Sequence, residues 1–212
     1  MERLVIVDEC FCFGEGTNLT VHKTSVFFPG DGFVAYDSRG NLVFRVESYG
    51  PDRQPRDELV LMDSSGRCLL TLRRKIPSLH RRWEGFLGER ARGQEPIFSV
   101  HRSSIIGRSY VLVDVHGDAD AEYQIEGSFA LRSCAIYHTS PSNSSKELAA
   151  EIKRKVDPTT KVLLGKEVFL LCVRAGSDAA FMMGLVLALD RMVGDDVDAD
   201  RDVNPTAEDA SS

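Results

Sequence analysis

Residues 179–189 read AAFMMGLVLAL, eleven consecutive positions without a polar side chain, close to the end of the chain. A helix that is apolar on every side has no face to offer water, so other atoms must surround it completely. Crossing a bilayer takes roughly 18 or more such residues, which leaves protein, and not lipid, as the host. The preceding residues supply that host, because they are patterned as strands.

Strand-like segments fall near residues 3–7, 18–28, 32–37, 41–49, 57–63, 67–75, 81–88, 96–101, 109–116, 122–127, 132–138, 147–155 and 167–174. Leu42, Phe44 and Val46 share one face opposite Arg45 and Glu47; Cys68, Leu70 and Leu72 oppose Thr71 and Arg73; Val111, Val113 and Val115 oppose Asp114 and His116. Alternation with one wet face indicates antiparallel pairing about a single core. Two turns share one chemistry: Asp37-Ser38-Arg39-Gly40-Asn41 and Asp63-Ser64-Ser65-Gly66-Arg67, 26 residues apart. Asp and Ser start such turns by bonding their own backbone, and Gly40 and Gly66 supply positive φ. Both are expected to be hairpin tips with a structural role.

After the apolar strand at Val168–Val173, Arg174-Ala175-Gly176 breaks the chain; Ser177 is the expected helix N-cap, with Asp178 in the first turn. Gly194 is expected to close the helix after Val193. Phe181, Leu185 and Leu189 are the main structural side chains of this helix, each contributing about 1.5–3 kcal/mol on burial.

Composition adds boundaries. The 212 residues suit one domain, expected over 1–194. The net charge of −6 misleads, because residues 195–212 hold seven acids against Arg201; the body is neutral and this tail is expected to be disordered. Asp196, Asp198 and Asp200 have the spacing of calcium-loop ligands, but Arg201 and Ala207 stand where the glycine and the closing Glu belong. Five cysteines at 10, 12, 68, 134 and 172 are an odd number without a CxxC pair and read as buried intracellular thiols. With only four apolar residues before Asp8 and no basic leader, no signal peptide is expected. The expected location is the cytoplasm, with peripheral membrane or nuclear visits open.

Enzyme chemistry finds little footing. The five histidines are scattered, no HExxH is present, Gly14-Glu15-Gly16 is too short for a nucleotide loop, and Ser177 lacks the nucleophile-elbow glycines. A neutral body without a readable module argues against nucleic acid. We therefore expect a non-enzyme without cofactor or metal, acting as a monomer.

The most concentrated polar cluster is Arg73-Arg74-Lys75-Ile76-Pro77-Ser78-Leu79-His80-Arg81-Arg82-Trp83. Arg73, Arg74, Lys75, Arg81 and Arg82 on a short connection could hold an anionic phospholipid headgroup while Ile76 and Leu79 touch the membrane. Lys153, Arg154 and Lys155 would add to that site if they lie nearby. The competing reading is that these are solvated outer-face charges, with Trp83 packed over a rim.

Taken together, VFRVES, DSSGRCLLTLRRK, the Trp83-Glu84-Gly85-Phe86 strand, YQIEGSF and VLLGKEVFLLCVRAGSDAAFMMGLVLALDRM resemble the plant LURP-one-related family over roughly residues 20–193. That resemblance implies a tubby-like fold: a closed antiparallel barrel of about twelve strands around a buried hydrophobic C-terminal helix. It further implies kinship with tubby and phospholipid scramblases, hence expectations of phosphoinositide or membrane binding, a membrane-tethered transcription-factor relationship and plant defence. The alternative function is a protein-binding scaffold with no lipid affinity. KELAAEIKRK at 146–155 has helix-forming composition, yet the resemblance favours a strand with Leu148, Ala150 and Ile152 inward.

A buried helix makes one demand testable at once. Leu185→Asp should abolish folding; a soluble Leu185→Asp protein with the parental melting temperature would refute it.

Overall fold

The computed structural model describes residues 4–24, 32–47, 58–76, 82–103, 110–117, 122–139 and 145–203, with side chains up to Gly194 except that of Glu47. Twelve strands appear among them: β1 (Thr17–Thr24), β2 (Gly32–Tyr36), β3 (Leu42–Glu47), β4 (Glu58–Asp63), β5 (Cys68–Arg74) and β6 (Trp83–Leu87). The others are β7 (Phe98–Arg102), β8 (Val111–Val115), β9 (Glu122–Ser128), β10 (Ser133–Thr139), β11 (Lys146–Arg154) and β12 (Val168–Val173). Each pairs antiparallel with its sequence neighbours, and β1 pairs with β12, so the sheet closes. Closure leaves no strand edge to be protected.

The lumen is filled by α1 (Ala179–Val203). Every residue from Ala179 to Leu189 is at most 4% exposed, so the apolar segment is covered on all sides. The walls meet it with alternate residues, Leu19 and Val21, Phe33 and Ala35, Leu59 and Leu61, Leu70 and Leu72, and so on round the barrel, all buried. Phe181 stands edge-on to Phe98, 5.0 Å between centroids, and 5.1 Å from Tyr123. Gly85 is where this packing is closest: a Cβ there would overlap the Phe98 ring, so the Trp83-Glu84-Gly85-Phe86 strand has no room for a side chain at that position. Trp83 itself is buried in the lumen at 1% exposure and does not lie over a rim. The outer face is not uniformly wet either. Thr71 is buried because its hydroxyl donates to the Gly88 carbonyl at 2.8 Å, under the connection that follows β6.

The KELAAEIKRK segment is strand β11. It is hydrogen-bonded to β10 on one side and β12 on the other, and these two ladders outweigh its local helix propensity. A register shift opposite Ile136–Tyr137 inserts Ala149, which is buried, as are Ala150 and Ile152; Leu148 is half-buried. At the tips, Gly40 has φ +84° and Gly66 φ +91°. Asp37 and Asp63 each accept backbone N–H bonds from the residues two and four further on, the same turn built twice.

Three expectations need correction. Of the strand expected over 3–7, residue 3 lies outside the described residues and 4–7 form no strand: Leu4 makes an isolated bridge to Ser177, and the backbone N–H groups of Ile6, Val7 and Asp8 go to a carboxylate instead. That carboxylate is Asp178, which, and not Ser177, caps the helix. Its Oδ1 accepts from Ala180 and Phe181 at 3.0 and 3.1 Å, and its Oδ2 from Ile6, Val7 and Asp8 at 3.1, 2.7 and 3.0 Å. At 1% exposure it is a buried anion held by five backbone donors and the positive helix terminus. The N-terminal segment is thereby pinned across the barrel mouth where the helix enters, with Phe11 against Phe44 at 4.9 Å. Third, Gly194 does not end the helix, which runs on to Val203. Its glycine cost of about 1 kcal/mol is too small to stop a helix already nucleated by its buried turns.

The opposite mouth has its own lock. Asp190, 9% exposed, accepts from Lys23 Nζ at 2.9 and 3.1 Å and lies 3.9 Å from Arg132 Nη2. Arg132 is sandwiched over Phe129 and Phe169 at 4.1 and 4.4 Å and donates from Nε to the Lys166 carbonyl at 2.9 Å.

Asp178→Ala should therefore lower unfolding free energy by about 3 kcal/mol or more, since it strands buried N–H donors. Asp190→Asn should cost about 3–5 kcal/mol by leaving Arg132 and Lys23 without their anion. Urea titrations with unchanged midpoints would show that neither group holds the helix.

Candidate functional site

Chain direction sorts the basic residues. The helix enters at the mouth formed by the starts of β1 and β3 and leaves at the mouth where β5 and β11 end. Arg73, Arg74, Lys75 and Arg82 lie at this exit mouth, joined by the Lys75 N–H to Arg82 carbonyl bond of 2.8 Å. Lys153, Arg154 and Lys155 end β11 at the same mouth, but β11 is six strands from β5 in a ring of twelve. The two groups are on opposite walls and do not form one patch. Arg81 and Pro77–His80 lie outside the described residues.

Partners then thin the free charge. Lys75 Nζ meets Glu84 at 2.8 Å and Arg82 lies 3.8 Å from Asp114. Lys153 pairs with Glu151 at 2.9 Å, and Arg154 donates to the Leu164 carbonyl at 2.6 Å. Arg73 is exposed, and Ile76, next to Lys75, is 69% exposed.

Lys155 is placed differently. It reaches across β12 and donates to Thr20 Oγ1 at 2.8 Å, and no carboxylate among the described residues lies within ion-pair distance of it. It borders a recess of about 490 Å³ on the outer wall over β12, β1 and β2, with Asn18, Thr20, His22, Tyr36, Ser38 and Leu170. The His22 ring stands edge-on to Tyr36 at 5.6 Å. Partial burial and then the Lys155 charge hold His22 below the ordinary histidine pKa. Sequence reasoning singled out Lys155 but missed the rest, which come from three separate segments. The one local signal was Asn18, Thr20 and His22, alternate residues of one strand.

A second cavity, about 400 Å³, opens beside the entry mouth between Leu4, Tyr123, His138, Glu147, Leu148 and Ser177. Tyr123 and His138 are cross-strand partners, as are His138 and Glu147. Burial, then the Asp178 charge, pushes the Tyr123 phenol well above its usual pKa. Yet Ser177, His138 and Glu147 share no hydrogen bond or ion pair, so no nucleophile–base relay is assembled. Among the described residues no three potential metal ligands cluster, no cysteine is in a disulfide, and no helix is long and apolar enough to cross a membrane; Cys12 and Cys134 are buried as expected, whereas Cys68 and Cys172 are half-buried and Cys10 is exposed.

Comparison with known proteins places this architecture. The LURP-one-related family profile matches residues 17–190. The chain belongs to the LURP-one-related family. It is 54% identical to protein LURP-one-related 12 of Arabidopsis thaliana over 211 residues, covering 99% of this chain and 94% of that protein. It is 57% identical to LURP-one-related 5 of the same plant over 213 residues, covering 99% and 100%. An X-ray structure of an Arabidopsis thaliana protein superposes with TM-score 0.64 at 24% identity, over 89% of this chain and 98% of that one, and shows the shared fold. This LURP-one-related chain thus carries the closed twelve-strand barrel and central helix that its sequence resemblance implied.

Proposed function

We propose that the protein is a non-enzymatic binding module whose exit mouth docks on an anionic phospholipid surface. The lumen that a ligand-carrying barrel would keep open is occupied by its own helix, so binding falls to the outside. The observation that carries the reading is the β5–β6 tip, where 69%-exposed Ile76 directly follows Arg73, Arg74 and Lys75. An apolar side chain beside cations suits a headgroup layer, at about 1 kcal/mol per basic residue near an anionic membrane. Lys75 and Arg82 contribute less than that, because Glu84 and Asp114 already face them. The docking is accordingly weak, reversible and salt-sensitive.

A protein-binding scaffold is the second reading, favoured by exposed Val156, Val162 and Leu163 on the connection between β11 and β12, at 45%, 61% and 53%. The two readings part in one flotation assay with neutral and phosphatidylserine-containing vesicles. Membrane docking predicts serine-lipid-dependent flotation, reduced severalfold in Arg73→Glu/Arg74→Glu and in Ile76→Asp, and lost at high salt. Flotation absent from the parent protein, or unaffected by both variants, sinks it.

A further inference from the structure

Most lysines and arginines that point back onto the barrel wall face an acid, as Lys23, Arg67, Lys75, Lys146 and Lys153 do. Lys155 is half-buried and, among the described residues, held only by the Thr20 hydroxyl. A partly desolvated ammonium without a counter-charge is unfavourable unless an anion completes the site. Two of its protons remain for a ligand, since one goes to Thr20.

The surroundings provide for such an anion. His22 adjoins Lys155 on the recess wall, and the Tyr36 hydroxyl, the Asn18 amide and the Ser38 hydroxyl line the same hollow. Among the described residues none of these four side chains has a hydrogen-bond partner, so their polar atoms are available to a ligand. Asp37 also lines the recess, but its carboxylate is turned into its own hairpin, accepting from Arg39 N, Asn41 N and Asn41 Nδ2 at 2.8, 2.8 and 2.9 Å. Leu170 supplies an apolar floor.

We propose that this recess is a binding site for a phosphomonoester. A phosphate has three terminal oxygens for an ammonium, an imidazole and neutral amide or hydroxyl donors, whereas a carboxylate has two. A volume of about 490 Å³ leaves room for the alcohol portion over Leu170. The site runs along the side wall from Lys155, at the exit-mouth end of β11, to the β2–β3 turn and shares no residue with the β5–β6 tip, so it stands independently of the membrane reading. Its position favours a soluble phosphomonoester over a lipid headgroup. His22 is faced by Lys155 from the β11 side and by Tyr36 and Asp37 from β2; as pH falls through its depressed pKa it becomes a second cation and strengthens the grip.

The test uses the full chain with glycerol 3-phosphate and inorganic phosphate in calorimetric titrations, and with phosphatidylcholine vesicles with and without phosphatidic acid. Saturable binding of the soluble ester is expected, weakened about tenfold or more in Lys155→Met. The phosphate loses charge itself near pH 6, so the reading is the ratio of parental to His22→Gln affinity, which should rise severalfold from pH 7.5 to 5.5. Lys155-dependent binding to phosphatidic acid vesicles alone would keep the site and locate its phosphate in a membrane. Binding to neither source, or binding undiminished in a Lys155→Met protein of parental melting temperature, would overturn the proposal. A parental-to-His22→Gln ratio that does not change with pH would remove His22 from it.

Discussion

Burial of a helix that is apolar on every side is the constraint on which the structure depends. Eleven residues without a polar side chain must be surrounded, and a flat sheet or a half-open sandwich leaves one side wet. Only a closed wall satisfies them, and closure in turn settles which strands pair, with β1 returning to β12. The two carboxylates at its mouths, Asp178 and Asp190, hold the helix along its axis by different means. Asp178 gathers backbone donors from both ends of the chain. Asp190 gathers side-chain cations from β1 and the β9–β10 connection. Hydrophobic burial is non-directional and leaves a greasy rod free to slide, whereas two buried anions at opposite ends specify its position.

With the lumen taken, function moves to the surface. A barrel whose outer charges are mostly paired has little long-range field, in keeping with the neutral body. Local departures from that pairing therefore carry the information: an isoleucine standing in water next to three cations at the exit mouth, and a lysine on the side wall that bonds a hydroxyl and meets no carboxylate among the described residues. These are different chemistries, one suited to an extended anionic surface and one to a small, discrete anion. The cavity by Tyr123 and His138 shows the opposite situation, in which titratable groups adjoin but no proton relay connects them.

Most of the barrel was legible because strand alternation is local: each inward residue is followed by an outward one, and the Asp-Ser-Gly turns punctuate them. What failed was non-local. Residues 4–7 have strand composition, yet their donors are claimed by an aspartate some 170 residues away, which no window can register. Ser177 and Asp178 are equally good caps by type; the N-terminal segment decides between them. The basic residues were legible as charges, but their dispersal to opposite walls depends on the ring order of the strands. The side-wall recess was least legible of all, since its members come together only after β1, β2 and β12 have paired. The β11 segment marks the reverse case, where family resemblance was right and local propensity alone pointed to a helix.

Because the rod at the centre follows all twelve strands in chain order, the wall cannot mature until the helix has been made. Nascent strands must wait, partly hydrated and with their inner faces unfilled, for a filler that is made after them. A premature stop before Met192 would thus spare nearly every strand and still leave no barrel, only a collapsed shell for chaperones and proteases to clear.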